Sequence, residues 1–223
     1  WDGSHIVLEG STNYVWDGDV EPTVTRLSLD HQTLEITEIP GLGFTLDEIE
    51  DGAILYERNT DSRSLVERQT DGSERVIWDC NTWMRDSGQP EYYCAPNTII
   101  WVPATDTILW SMYYSDTVVE IDRESGELLR QWGQMAGGWT MDPMESMIDY
   151  QHYPNYTEDG TLLVSTHTLG QSNQQMAREF EVDDDTQTLT EIWSYGADSG
   201  YYATYGGEAT RHGPNTLISY GTD

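Results

Sequence analysis

The sequence contains no lysine, so all ten of its basic residues are arginines. The chain also has 40 acidic residues, so its formal net charge is −30 at pH 7. A field of that sign repels the phosphates of DNA and RNA and the headgroups of anionic membranes. The composition therefore argues against a nucleic-acid-binding protein.

Long apolar runs and helical periodicity are also missing. No apolar stretch approaches the roughly 18 residues that suggest a membrane-spanning helix, and no window keeps the 3.6-residue period of an amphipathic helix. Phenylalanine occurs only twice, whereas there are nine tryptophans and 14 tyrosines. The sequence predicts an all-β chain without a membrane span, in which the stretch 140–150 is the single helix candidate.

Cysteine is scarce too, since only Cys80 and Cys94 are present. They form neither a CxxC motif nor a cysteine–histidine pattern of the kind that binds zinc. An even number of cysteines in a chain of exported composition predicts a Cys80–Cys94 disulfide and an extracellular or periplasmic location. The alternative is a pair of buried free thiols.

The many carboxylates allow two interpretations. They form a solvated acidic surface whose self-repulsion salt would screen, or some of them bind calcium, which prefers oxygen ligands. The densest cluster is Asp183-Asp184-Asp185, which lacks the spacing of an EF-hand loop. Calcium is thus a possible ligand, and we expect no other cofactor and no other metal.

A turn followed by a short apolar strand recurs along the whole chain. Aspartate and glycine before an aliphatic run are typical of β-hairpins. The copies begin at Asp2, Asp51, Asp106, Asp159 and Asn215. A repeat of about 50 residues indicates an array of small β units.

Two further patterns complete each unit. A strand ending near an aspartate is followed by a strand with a tryptophan, as at Trp78, Trp132 and Trp193. A Pro-Asn element precedes the turn, and three copies of it are Cys94–Asn97, His152–Asn155 and His212–Asn215. We therefore expect Cys94, His152 and His212 to occupy equivalent positions at one end of neighbouring units.

Four short strands per repeat are typical of propeller blades. The sequence predicts an all-β protein, a β-propeller of four-stranded antiparallel blades that would have six blades when complete. Residues 1–223 would form a single propeller domain, truncated or partly built, that covers four to five of those blades. A long β-sandwich is the rival architecture, but it gives no reason for the repeated Pro-Asn and tryptophan positions.

More than half of the chain carries a second level of similarity. The segments are Pro96–Ile99, Thr107–Glu127, Trp132–Gly133, Gln151–His152, Glu158–Leu163, Arg178–Asp183, Glu191–Tyr195 and Gly207–Ile218. In order and spacing they resemble the arylsulfotransferase-like β-propeller family, and Gln151–His152 is the most specific of them. The resemblance implies six blades and the transfer of a sulfuryl group between phenols at histidines and an arginine around a central channel.

The resemblance makes His152, Arg178 and His212 the candidate catalytic residues. A neutral imidazole is a nucleophile, and cationic neighbours would stabilise the oxygens of the transferring group. The pattern departs from the family at Cys94-Ala95-Pro96, where a histidine is expected. It departs again at Tyr201-Tyr202, where the family has its sulfuryl-accepting histidine. These losses argue against standard sulfuryl transfer.

Other polar and aromatic residues are candidates for ligand binding. The tyrosine pairs Tyr92-Tyr93, Tyr113-Tyr114 and Tyr201-Tyr202 predict a surface at the channel mouth for a small aromatic or sugar-like ligand. The candidate binding residues are Asn97, His167, Tyr201, Tyr202 and Arg211.

Three functions remain open at this point. The first is an exported binding or structural propeller with a degenerate active site. The second is an active aryl-sulfate sulfotransferase or related transferase that uses His152. The third is a subunit of a surface filament or larger assembly, formed by self-association.

Overall fold

A computed structural model describes residues 5–10, 23–28, 32–49, 52–60, 63–168, 170–197, 199–200, 202–203 and 206–221. The chain forms two compact units, Trp1–Glu91 and Tyr92–Asp223. The tyrosine-rich and histidine-bearing positions discussed below belong to the second unit.

The first unit contains two antiparallel sheets. One has three strands in the order β1-β2-β3, and the other has four in the order β4-β5-β6-β7. The strands are β1 (His5–Gly10), β2 (Thr23–Ser28), β3 (Thr33–Glu38), β4 (Leu42–Glu48), β5 (Ile54–Asn59), β6 (Arg63–Arg68) and β7 (Glu74–Asp79). Their shared core is aliphatic apart from one tyrosine and consists of Val24, Ile39, Leu42, Ile54, Tyr56 and Val66.

The α-helix of the described residues, α1 (Cys80–Asp86), follows β7 directly. It begins there because the carboxylate of Asp79 accepts the backbone N–H of Thr82 and caps the first turn. The sequence prediction of a helix over 140–150 is wrong. That stretch holds a short strand, Thr140–Asp142, and one 3-10 turn, because Pro143 has no N–H to donate and interrupts a helix.

The second unit contains three sheets. A four-stranded sheet has the order β8-β9-β10-β11, a five-stranded one β13-β14-β15-β16-β12, and a hairpin pairs β17 with β18. The strands are β8 (Pro96–Val102), β9 (Thr107–Met112), β10 (Thr117–Asp122), β11 (Leu128–Gly133), β12 (Thr140–Asp142), β13 (His152–Tyr156), β14 (Leu162–Thr168), β15 (Gln171–Asp183), β16 (Thr188–Tyr195), β17 (Glu208–His212) and β18 (Asn215–Ser219).

The core of the second unit lies between the four- and five-stranded sheets. It packs Trp132 edge-to-face against Trp139, with ring centroids 6.0 Å apart. Aliphatic residues and Phe180 complete it. Trp132 is fully buried and Trp78 is nearly so, whereas Trp193 is half-buried, so the first two of these repeated tryptophans serve packing.

The predicted repeat is confirmed by the strand pattern. The recurring turn-and-strand copies become β1, β5, β9, β14 and β18, which begin within three residues of the predicted starts. The described residues form strands and turns apart from α1 and three short 3-10 helices, and the four-stranded antiparallel sheets are of the propeller-blade type. None of the helices in the described ranges is long and apolar enough to cross a membrane.

Asparagines of the Pro-Asn element join neighbouring first strands. The side-chain amide of Asn97 on β8 donates to the carbonyl of Gln151, 2.6 Å away. Asn155 on β13 makes the same kind of bond to the carbonyl of Ala209, at 2.9 Å. Because both bonds reach 54 residues ahead, Asn97 and Asn155 are structurally equivalent.

A buried glutamate on the third strand of each sheet makes a second repeated link. Thr107 donates to Glu120, and Thr161 donates to Glu179, each at 2.6 Å. Each carboxylate also pairs with an arginine, which offsets part of the cost of burying it. The full sets are Thr107, Glu120 and Arg130, and Thr161, Glu179 and Arg211.

Candidate functional site

A group of aromatic rings lies at one end of the second unit, where strands begin and end. Antiparallel pairing puts the start of β13 beside the end of β14, with His152 opposite Ser165. It likewise puts the start of β8 beside the end of β9, with Pro96 opposite Met112. The tyrosine–histidine cluster formed there consists of Tyr92, Tyr93, Tyr113, Tyr114, Tyr150, His152 and His167.

Tyr113 is the centre of the cluster. Its ring centroid lies 5.4 Å from those of Tyr114 and Tyr150 and 5.9 Å from the ring of His152. Tyr150 in turn stacks on His167 at 5.5 Å with an interplanar angle of 28°. Ring pairs in such arrangements contribute about 0.5–1.5 kcal/mol each beyond their buried area, so the cluster holds its own geometry.

The outer part of the cluster reaches solvent. Tyr92 and Tyr114 are 62% and 59% exposed, and their ring centroids are 6.2 Å apart at an interplanar angle of 74°. Tyr92 also packs edge-on against Tyr93 at 4.7 Å. Large exposed rings at right angles form an open corner, which is a surface that a small ligand can contact on two sides.

The two histidines form the inner part. His167 is buried, and its backbone N–H donates to the carbonyl of Asp149. Burial and the proximity of His167 lower the pKa of His152 to about 4. The Nε2 atom of His152 is buried without a hydrogen-bond partner among the described residues. At neutral pH His152 is therefore an uncharged imidazole with an unused nitrogen.

Two carboxyl groups, Asp116 and Asp149, lie beside the rings and are called the carboxyl pair below. Burial, in the first place, and hydrogen bonding to Asp149 raise the pKa of Asp116 to about 6. Asp116 accepts the backbone N–H of Tyr150 at 2.8 Å, and Asp149 accepts that of Gly170 at 2.8 Å. The pair thus fixes the backbone that carries Tyr150.

Gln151 fixes the same segment through side-chain hydrogen bonds. Its buried side-chain amide donates to Ser111, to the carbonyl of Met112 and to the carbonyl of Thr117, at 2.9–3.2 Å. These bonds reach the end of β9 and the start of β10. The Gln-His pair singled out in the sequence therefore combines a structural glutamine with a histidine of the cluster.

The two predicted site arginines have structural partners. Arg178 is buried and forms an ion pair with Glu191 on β16. Arg211 pairs with Glu179, and its guanidinium lies 4.8 Å from the ring centroid of Trp193. Neither belongs to the tyrosine–histidine cluster, so the structure does not bring them to His152.

The same is true of every arginine in the chain. Each of the ten forms at least one ion pair with a carboxylate, and none of these carboxylates is in the carboxyl pair. The paired arginines are Arg26, Arg58, Arg63, Arg68, Arg75, Arg85, Arg123, Arg130, Arg178 and Arg211. In the second unit, the ion-pair partners of the described arginines thus all lie outside the tyrosine–histidine cluster and the carboxyl pair.

The predicted equivalence of His212 with His152 is wrong. His212 is the last residue of β17 and pairs with Asn215 across the hairpin turn, whereas His152 is the first residue of β13. In this copy the Pro-Asn element forms the turn instead of opening the first strand. Cys94 does precede Asn97 by the same three residues as His152 precedes Asn155, so those two positions are equivalent.

The remaining predicted binding residues are dispersed. The amide of Asn97 is used in the link to Gln151. Tyr202 is exposed, and Tyr201 lies outside the described residues. Of the predicted tyrosine pairs, the structure brings Tyr92-Tyr93 and Tyr113-Tyr114 together.

Both cysteines are disulfide-bonded, and since the chain has no others, they are bonded to each other. The disulfide prediction is confirmed. In the described part of the chain, no three or more histidine, cysteine, aspartate or glutamate side chains are arranged to hold a metal ion. Asp183 accepts the N–H groups of its own turn and Asp184 pairs with Arg130, which gives the acidic cluster a structural explanation without calcium.

Sequence reasoning missed Tyr150 and the carboxyl pair. Tyr150 directly precedes the Gln-His pair, so its position in the sequence could have marked it as a candidate site residue. Asp116 and Asp149 are 33 positions apart and belong to no motif. Only the packing of the two sheets brings them together.

No protein-family model and no curated protein matches this sequence. Among solved structures, a candidate 6-phosphogluconolactonase from Bacteroides fragilis is similar to it with a TM-score of 0.54 at 14% identity, over 98% of this chain and 61% of its own length. Hsv2 of Kluyvelomyces marxianus is similar with a TM-score of 0.54 at 10% identity, over 89% of this chain and 56% of its own. A protein of unknown function from Bacteroides caccae follows with a TM-score of 0.50 at 14% identity, over 81% and 58%.

The chain has a β-propeller fold. It spans less than two thirds of the length of these three structures. None of the three is described as a sulfotransferase, so the resemblance to arylsulfotransferases stays a prediction, as does the count of six blades. At these identities the similarity concerns the fold alone.

Proposed function

We propose that this protein is a propeller-type binding module that takes a small aromatic or sugar-like ligand at the tyrosine–histidine cluster. The observation that carries the proposal is the open corner of Tyr92 and Tyr114, backed by Tyr113. Tyrosine rings present an apolar face with a polar hydroxyl, which suits ligands that combine a ring with hydroxyl groups. The disulfide supports an exported protein, because disulfides persist in oxidising compartments.

The charges favour binding over sulfuryl transfer. Transfer spreads negative charge over the sulfuryl oxygens, which requires donors or cations at that place. All ten arginines are engaged in ion pairs with other carboxylates, and the carboxyl pair adds negative charge at the segment that carries Tyr150. An anionic donor such as an aryl sulfate would therefore meet repulsion at this cluster.

Saturation-transfer NMR tests the binding proposal. Phenol and phenyl β-D-glucoside serve as probes, and we expect transfer from the protein to the ring protons of both. Tyr114→Ala should reduce the signal, whereas Tyr202→Ala, which removes a similarly exposed tyrosine outside the cluster, should not. Equal signals in the two variants, or none in the parent protein, would refute the proposal.

A second function has its own observation. The Nε2 atom of His152 has no hydrogen-bond partner among the described residues, and the lowered pKa keeps the imidazole uncharged at neutral pH, which is the form that can act as a nucleophile or base. If the protein is a transferase, incubation with 4-nitrophenyl sulfate and a phenol acceptor releases 4-nitrophenol, and His152→Ala abolishes the release. We expect no release above background, because the cluster lacks cationic groups.

A further inference from the structure

We infer that the ligand of the tyrosine–histidine cluster carries a positively charged alkylated nitrogen, of the quaternary ammonium type. This inference rests on the proposed binding function and names the chemical class of its ligand. It is carried by three features of the cluster: its ring geometry, the carboxyl pair beside it and the absence of arginine from it.

The rings provide faces for a cation. A cation within about 6 Å of a ring centroid is attracted by the negative face of the π system. Tyr92 and Tyr114 stand 6.2 Å apart at 74°, and both are more than half exposed. A trimethylammonium group seated in that corner contacts two rings at once.

The carboxyl pair supplies negative charge without a compensating cation. Asp116 and Asp149 bond to each other, to the backbone N–H groups of Tyr150 and Gly170 and to the neutral side-chain amide of Gln134. Among the described residues, none of the ten arginine ion pairs involves either of them. A ligand cation is the missing partner in this charge arrangement, and the net charge of −30 raises its local concentration.

The same features discriminate among cations. Small, strongly hydrated cations need several converging oxygen ligands, and the described residues offer no such cluster. A quaternary ammonium group is large and weakly hydrated, and it gains from aromatic faces. The uncharged imidazole of His152, which packs against Tyr113, adds no positive charge to the inner wall at neutral pH.

The experiment compares choline with 3,3-dimethylbutan-1-ol, which has the same shape with carbon in place of the charged nitrogen. Phenol is titrated in parallel as the probe of the proposed function. By calorimetry or NMR titration at low ionic strength, we expect choline to bind about tenfold more tightly than its neutral isostere. Added salt should weaken choline binding and leave phenol unaffected.

Two variants separate the ring face from mere bulk and charge. Tyr114→Phe retains an aromatic face, so it should keep most of the choline affinity, whereas Tyr114→Leu should lose about fivefold or more. Tyr202→Leu is the matched control and should behave like the parent. Unchanged circular dichroism of each variant shows that the fold is retained.

The outcomes are distinct. Equal binding of choline and its isostere, or phenol binding without choline binding, overturns the cation inference and leaves the proposed function standing. Choline binding that salt abolishes but Tyr114→Leu does not affect shows adsorption to the acidic surface, which also overturns the inference. Failure of choline, isostere and phenol together overturns both proposals.

Discussion

The sheets β8–β11 and β13–β16 share one internal plan but differ where their first strands begin. In both, an asparagine links the first strand of the sheet to the first strand of the following sheet. A threonine and a buried glutamate join the second strand to the third. At the strand start, however, one sheet has Cys94 in a disulfide, and the other has the unpartnered His152.

This difference separates scaffold from site. Positions that both sheets use in the same way satisfy buried backbone and carboxylate groups, which any such sheet must do. At the position that differs, His152 contacts Tyr113 of the cluster, and nothing in the repeat dictates a histidine there. Within this unit, function is therefore best sought where equivalent positions carry different chemistry.

The largest expected effect concerns the buried glutamate of the first of these sheets. Glu120→Ala removes the acceptor of Thr107, Arg130 and Tyr156, and breaking a buried ion pair costs about 3–5 kcal/mol. Urea unfolding should show a loss of that order. Glu120→Gln, which keeps the shape and an acceptor, should lose less; an equal loss would show that the charge alone accounts for the effect.

Reduction of the Cys80–Cys94 disulfide should have the next largest effect. Closing a loop of this length contributes about 3 kcal/mol in the chain-entropy model. We expect dithiothreitol to lower the free energy of unfolding by about that amount. A Cys80→Ala/Cys94→Ala double variant is the control, and any further loss that it shows on reduction would contradict the assignment to the disulfide.

The repeated asparagines sharpen the comparison directly. Asn97→Ala removes the donor to Gln151, and Asn155→Ala removes the donor to Ala209 together with its bonds to Tyr153 and Leu163, so each should cost about 1–2 kcal/mol. Asn215→Ala, in the copy that forms an exposed turn, should change stability by less than about 0.5 kcal/mol. Three equal losses would mean that the motif acts through the turn and not through the link between strands.

The last effect varies with conditions and is a pH dependence of stability. The pKa of Asp116 is about 6 in the folded protein against an ordinary 3.8. The stability that this raised pKa contributes is fully present below about pH 3.8 and is lost as the pH rises through about 6. The Asp116→Asn variant has no such pH-dependent loss. Its free energy of unfolding relative to that of the parent should therefore increase between pH 4 and pH 7.

His152 changes stability in the opposite sense. Its pKa falls from 6.5 to about 4 on folding, so its contribution is present above about pH 6.5 and is lost as the pH falls through about 4. Unfolding of the parent, Asp116→Asn and His152→Gln across this range resolves the two. A difference between Asp116→Asn and the parent that does not vary with pH would contradict a perturbed carboxyl pair.

The sequence by itself determined the fold class, the strand repeat and the disulfide. These follow from local patterns, because alternating apolar residues, Asp-Gly turns and cysteine number act over a few residues or through composition. It also indicated His152 and two of the tyrosine pairs as neighbours of a binding surface. Its errors, the helix over 140–150 and the equivalence of His212, arose where a proline and a shifted turn altered an otherwise regular pattern.

Only the tertiary structure decided which charges meet. Arg178 and Arg211 were reasonable site candidates until their partners, Glu191 and Glu179, became visible. The carboxyl pair joins residues 33 positions apart, and its perturbed pKa depends on burial that no local pattern encodes. Pairing and desolvation arise from the packing of sheets against each other, which is why the character of the site could not be inferred from sequence alone.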